Sequence, residues 1–218
     1  MSEEDKQFKP RTYNPLDYDS ISESMADALM AASVVPLQDV TKFYGNGVYA
    51  LFYTGDYPAY KHLAEQNRRE PGSLPIYIGK SAPSNRKGDI DTKLVDTPDA
   101  GTALFDRSQT HKKSIQAATN LEVSDFQIRL LVCSYMWVPM VETALIARFT
   151  PVWNSLLDGF GNHDPGGNRV GGKMSKWDTL HPGRDWVARR KLTPTISTSE
   201  LQKIVSSELR TVWIRDFK

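Results

Sequence analysis

The chain has 218 residues, of which 39% are hydrophobic and 24% charged, enough apolar matter for one sizeable core with a small lobe attached. Its net charge of +1 excludes a polycation that binds nucleic acid over its whole surface, so any such surface has to be local. The opening MSEEDKQFKP is polar and acidic, no apolar run reaches spanning length, and Cys133 is the only cysteine; export, membrane insertion, an internal disulfide and a Cys-based zinc site are not expected, and a reducing cytoplasm is.

Residues 20–33, SISESMADALMAAS, carry serines suited to an N-cap and apolar residues at helical spacing, which predicts an amphipathic helix. GVYALFYT, from Gly47, predicts a strand. Residues 56–72 predict a short helix stopped by Pro-Gly, and LPIYIGK, from Leu74, a second strand. The Ser/Pro/Gly/Lys-rich stretch 81–101 is too polar for a core. Residues 103–119 predict a helix on which Arg107 and His111, four apart, project from one face. FQIRLLVCSYM, residues 126–136, is the most apolar strand, and 138–154 predict a helix of about three turns closed by Thr-Pro, because Pro151 disfavours helical geometry at the preceding residue. Residues 156–170 are Gly/Asn/Asp/Pro-rich loop. Residues 169–191 then hold seven Lys/Arg against two acids, and a final helix or strand lies around 200–213. Strand, strand, helix, strand, helix points to an α+β core.

A tyrosine in a strand is ordinarily a packing residue, and Glu142, Arg107 or His111 seen alone would be solvated helix residues. Their order changes the reading: Gly-Val-Tyr, Tyr-Ile-Gly, Arg107 with His111, then Glu142 leading into Pro151 and Asn154. In this the sequence resembles the GIY-YIG nucleases. GVY (47–49) and YIG (77–79) stand for the two name-giving strands, and ETALIARFTPVWN (142–154) is similar to the family's acidic helix. The tail segments GFGNHDPGGNR (159–169) and SKWDTLHPGR (175–184) look like a segment of Type II restriction endonucleases of this family that read CCGCGG. The resemblance implies a three-stranded antiparallel sheet flanked by helices: an arm 1–44, a nuclease core 45–155 with insertions at 55–73 and 81–101, and a basic extension 156–218 that contacts DNA. It departs from the family in the long connection between its two tyrosine strands, and in having His111 where the family's helix often carries a tyrosine.

The chemistry fits those residues. Phosphodiester hydrolysis needs an oriented water, a cation on the non-bridging oxygens and relief of charge on the leaving 3′ oxygen. Glu142 offers the hard oxygen that Mg²⁺ prefers, with Mn²⁺ a possible substitute, and Mg²⁺ often takes only one or two protein ligands. Arg107 can meet the phosphate charge with its planar fork. Tyr49 is a weak base at its ordinary pKa near 10, so His111, which ordinarily titrates near neutrality, is expected to accept or relay its proton. Tyr77 is expected to position the phosphate, and Asn154 to hold the geometry.

Arg86 and Lys87 in the 81–101 loop, and Arg169, Lys173, Lys176, Trp177, His181 and Arg184 in the basic segment, are the expected DNA contacts. Arg169 or Arg184 is the better candidate for guanine, and the lysines for phosphates. Cutting both strands of a palindrome calls for a homodimer, with helix 20–33 or the 56–72 insert as its interface. A bacterial cytoplasmic location and a cognate DNA methyltransferase in the same system go with that reading. A repair or homing nickase, or a silent DNA-binding protein on the same fold, are the alternatives. Pro98-Asp99 lacks the D/E-x-K that the commoner restriction-enzyme site needs, His111-Lys112-Lys113 lacks the Asp of a phospholipase-D-like site, and His163 has no partner at zinc spacing, which makes a turn-stabilising role the expected one.

Overall fold

The computed structural model describes residues 14, 17–81, 101–164, 166 and 170–216. The fold is α+β. Helix α1 (Tyr18–Ala31) opens it, begun two residues earlier than the serines predict because Asp17 caps it, its Oδ1 accepting from the Ser20 N–H at 2.7 Å. A two-residue strand β1 (Val35–Pro36) follows, then β2 (Gly47–Tyr53), α2 (Lys61–Arg69), β3 (Pro75–Ser81), α3 (Ala103–Ala117) and β4 (Phe126–Val132). The antiparallel sheet has the order β1-β4-β2-β3, four strands rather than three, the addition being the short edge strand supplied by the arm.

Strand β2 is central and entirely buried, and its alternation sets the layers. Val48, Ala50 and Phe52 pack with Ala26 and Leu29 of α1 and with Val141 and Leu145 of α4 (Val138–Phe149) on one face. Tyr49, Leu51 and Tyr53 point into a second, larger cluster on the other face. The long connection between β2 and β3 does not prevent their pairing: Tyr49 lies opposite Gly79, and Leu51 opposite Tyr77.

That connection is not a peripheral lobe. Tyr57, Tyr60, Leu63 and Ala64 from it join the same cluster as Tyr49, and so do Leu157, Phe160, Trp177, Leu180, Leu201 and Val205 from the C-terminal third. The C-terminal third contributes α6 (Lys176–Leu180), α7 (Asp185–Arg189) and α8 (Thr198–Asp216), the last a helix rather than a strand. The buried apolar residues of α1 and of the 56–72 segment thus pack inside the molecule. The exposed large apolar side chains are Tyr18 at the start of α1 and, elsewhere among the described residues, Tyr44, Val132, Tyr135, Met136, Trp137, Val170 and Ile204.

The helix predicted over 138–154 is two helices. α4 ends at Phe149, Thr150 turns the chain in the left-handed region at φ 44°, and Pro151 caps the single turn α5 (Val152–Ser155). The break carries Asn154 off the axis of α4 and toward β3. No helix among the described residues is long and apolar enough to cross a membrane.

Candidate active site

Tyr49 projects from the middle of β2 with its ring over Gly79. A Cβ at Gly79 would stand 2.3 Å from the Tyr49 hydroxyl oxygen, so the glycine of Tyr-Ile-Gly is there for close approach rather than for backbone freedom. The Tyr49 hydroxyl meets His111 Nε2 at 2.5 Å, wholly inside the protein. His111 lies one turn beyond Arg107 on α3, and its ring stacks on Phe160 at 4.4 Å between centroids. Tyr77 on β3, the edge strand, completes the aromatic group, edge-on to both His111 and Phe160.

Burial decides the protonation states. It pushes the Tyr49 hydroxyl well above its usual range, with Tyr77 adding to the effect and Arg107 opposing it. Tyr77 is raised for the same first reason. His111 is driven well below 6.5, by burial first and then by the positive charge of Arg107. The expectation that His111 titrates near neutrality is therefore corrected: at pH 7 it is a neutral imidazole. Its Nδ1 has no hydrogen-bond partner among the described residues, so no carboxylate stands behind it to stabilise an imidazolium.

Asn154 clasps the backbone of Ile78, the residue between Tyr77 and Gly79. Its Oδ1 accepts from the Ile78 N–H and its Nδ2 donates to the Ile78 carbonyl, both at 2.8 Å. The two bonds fix the strand that carries Tyr77. Glu142 lies in the second turn of α4, not the first, and its Oε2 pairs with Lys80 Nζ at 2.7 Å. Its carboxylate is partly open to solvent, with 18% of the side chain exposed, and it is the oxygen donor at this edge to which a hard cation can be bound. The described residues hold no cluster of three or more His, Cys, Asp or Glu that would form an all-protein metal cage; one carboxylate suits an ion that keeps its waters.

The Arg107 guanidinium is held by a loop from the C-terminal third: Nη1 meets His163 Nε2 at 2.9 Å and Nη2 donates to the Gly161 carbonyl at 3.3 Å. Lys80, Ser81, Ala103, Asp106, Arg107, Thr110 and His163 line an open cavity of about 400 Å³ in front of it. The structure thus gathers Tyr49, Tyr77, Arg107 and His111, with Asn154 bracing the strand and Glu142 at the margin. Sequence reasoning missed Lys80 and gave His163 to turn stabilisation. Lys80 alternates with Ile78 onto the face of β3 that α4 covers, a period-two signal that could have been read; no local pattern pointed from His163 to Arg107.

Three of the expected DNA contacts are corrected. Trp177 and His181 are fully buried and Arg184 is 5% exposed. Arg184 donates from Nε and Nη2 to the two oxygens of Asp178, each at 2.6 Å, and lies over the rings of Trp177 and Trp186. His181 sits in a core chain in which Trp153 Nε1 donates to the Tyr60 hydroxyl, that hydroxyl faces His181 Nε2 at 2.6 Å, and His181 Nδ1 faces Asn120 Oδ1 at 2.9 Å. Lys173 and Lys176 are exposed. Arg86, Lys87 and Arg169 lie outside the described residues.

No curated protein matches the chain. A family model described as the Eco29kI GIY-YIG domain matches residues 41–209, a span that takes in all six clustered residues and the loop that holds Arg107. With that match over most of its length, the chain belongs to the GIY-YIG nuclease family, in the branch named for Eco29kI.

Proposed function

We propose that the protein is a Type II restriction endonuclease that hydrolyses both strands of DNA at a short palindrome, CCGCGG, as a Mg²⁺-dependent homodimer. The observation that carries this reading is the buried Tyr49–His111 contact beside Arg107, the arginine that lines an open cavity, within a domain of an endonuclease family.

The protonation states define the role of each group. Tyr49 keeps its proton and donates it to the neutral His111 Nε2, which leaves the phenolic oxygen, beside Arg107, as the acceptor for the attacking water. As the water oxygen attacks phosphorus, its proton passes to Tyr49 and the phenolic proton to His111 in one movement, so that no free tyrosinate is needed, and the negative charge gathering on the phosphate offsets the burial that keeps His111 neutral at rest. Arg107 faces the charge that gathers on the non-bridging oxygens, while Tyr77 donates to one of them. Glu142 is the residue that would hold the metal, which would supply charge neutralisation to the reaction; Lys80, paired with Glu142 at 2.7 Å, is the cation that it would have to displace.

Lys173 and Lys176, exposed on the C-terminal third, serve the phosphate backbone together with Arg86 and Lys87 of the 81–101 loop, and Arg169 is left as the candidate for guanine. One active site per chain and a two-fold recognition sequence require two copies. A methyltransferase that protects the same sequence completes the system. Incubating the purified protein with plasmid and Mg²⁺ tests the proposal: discrete fragments with ends at CCGCGG are expected, and Glu142→Gln abolishes them. Nicked circles alone, or uncut plasmid, would overturn it.

A further inference from the structure

Besides the Tyr49 and Tyr77 hydroxyls, the Arg107 guanidinium is held by two acceptors from residues 159–164, a segment whose own anchoring is unusual. Arg184, already paired with Asp178, also donates to the carbonyls of Gly159 at 2.9 Å, Phe160 at 3.2 Å and Asn162 at 3.1 Å. Phe160 is buried and stacked on His111. Gly161 runs so close to the site that a Cβ there would lie 2.9 Å from Arg107 Nη2 and 3.1 Å from the Tyr77 hydroxyl. Asp164 is gripped by Arg190 at 2.8 Å and accepts from the Gly166 N–H. The segment is bolted on both sides of His163, yet the His163 side chain itself opens onto the cavity in front of Arg107.

We propose that His163 is a positioning residue for the hydrolysis: its Nε2 holds Arg107 Nη1 at the angle at which the guanidinium receives the scissile phosphate. A guanidinium nitrogen has no acceptor capacity, so Nε2 must be the unprotonated ring nitrogen and the tautomer is fixed with hydrogen on Nδ1. His163 and the Gly161 carbonyl each engage one N–H, of Nη1 and Nη2 respectively, and the guanidinium N–H groups taken neither by them nor by the Tyr49 and Tyr77 hydroxyls are left for a phosphate oxygen. Without the side-chain acceptor, Arg107 keeps the Gly161 bond at 3.3 Å and its interactions with the Tyr49 and Tyr77 hydroxyls, but Nη1 loses the acceptor that fixes it from the loop.

The inference rests on Arg107 as the phosphate ligand and is tested with the full chain on CCGCGG plasmid and Mg²⁺. Misplacement of about 1 Å in a catalytic group costs roughly a hundredfold in rate, so His163→Ala lowers kcat by about 10- to 100-fold while KM stays within about twofold. The amide oxygen of Gln falls near the place of Nε2 and that of Asn near Nδ1, so His163→Gln recovers most of the rate and His163→Asn does not. Equal rates for wild type and His163→Ala, a change confined to KM, or equal behaviour of the Gln and Asn variants would each overturn it. A second readout needs no turnover: an Arg107 side-chain N–H resonance slowed in rotation in the wild type and lost in His163→Ala. If the wild type cuts nothing, the nuclease proposal has failed, and the resonance still decides the contact; its absence in the wild type sinks the inference independently.

Discussion

Acid should destabilise this protein through His181 in a way that can be calculated and isolated. Burial pushes that imidazole from its ordinary 6.5 down to about 3, so the unfolded chain binds a proton there that the folded chain refuses. The contribution is complete above pH 6.5 and is lost as pH falls toward 3, because stability rises with pH wherever the unfolded state holds more protons. Between pH 7 and 4.5 the linkage relation with those two values gives a loss of roughly 2–3 kcal/mol from this residue alone, which for a chain of this size lowers the melting temperature by several degrees. Neutral His111 adds to the slope in the same direction.

Urea titrations followed by the fluorescence of the five tryptophans, at both pH values, measure the total, and His181→Gln isolates the share. The amide oxygen of Gln can take the bond from the Tyr60 hydroxyl, so the variant folds with reduced stability at pH 7 from the lost bond to Asn120. Its loss between pH 7 and 4.5 is smaller than that of the wild type by roughly 2–3 kcal/mol. If the two proteins lose equal stability over that interval, His181 is not the buried neutral group described and the core chain Trp153, Tyr60, His181, Asn120 has been misread.

Three other outcomes follow from the site. Tyr49→Phe, which removes the oxygen that faces His111 without altering packing, lowers kcat by about 100-fold or more while DNA affinity, measured by fluorescence anisotropy in Ca²⁺, stays within about twofold. Lys80→Met removes the ammonium that competes for Glu142, so the half-saturating concentration of Mn²⁺, titrated calorimetrically into the Tyr49→Phe protein, falls by about two- to fivefold, the factor for an exposed pair; an unchanged or higher value would refute the competition. Arg184→Met strands Asp178 inside the protein and frees three loop carbonyls, for a loss of about 3–5 kcal/mol in urea unfolding, which Asp178→Leu in the same chain partly restores.

Much of the core could be read from residue order. Apolar alternation placed β2, β3 and β4, and the helical spacing of Arg107 and His111 put both on the side of α3 that faces Tyr49. The basic segment was misread for a physical reason. A run of charge is a solvated surface unless its charges are cancelled, and the cancellation here is Arg184 against Asp178, six residues apart and on no helical repeat. Trp177 and His181 went with it, because an aromatic between basic residues looks like a nucleic-acid contact until its neighbours are known to be Trp153, Tyr57 and Tyr60.

That misreading bears on how Arg107, the proposed phosphate ligand, is held. An arginine half inside a protein beside two raised phenols and a neutral histidine is a costly arrangement, and the hydroxyls that the sheet brings to it hold one side of it only. The orientation comes from residues 159–164, and their geometry comes from Arg184, whose donors satisfy three of that loop's carbonyls and one buried carboxylate at once. The positive charge that the sequence offered for reading guanine is spent instead on the loop that presents Gly161 and His163 to Arg107. The C-terminal third is accordingly as much a wall of the active site as β2 and β3 are, and changes at Arg184 or Asp178 should reach Arg107 through the backbone of one short loop.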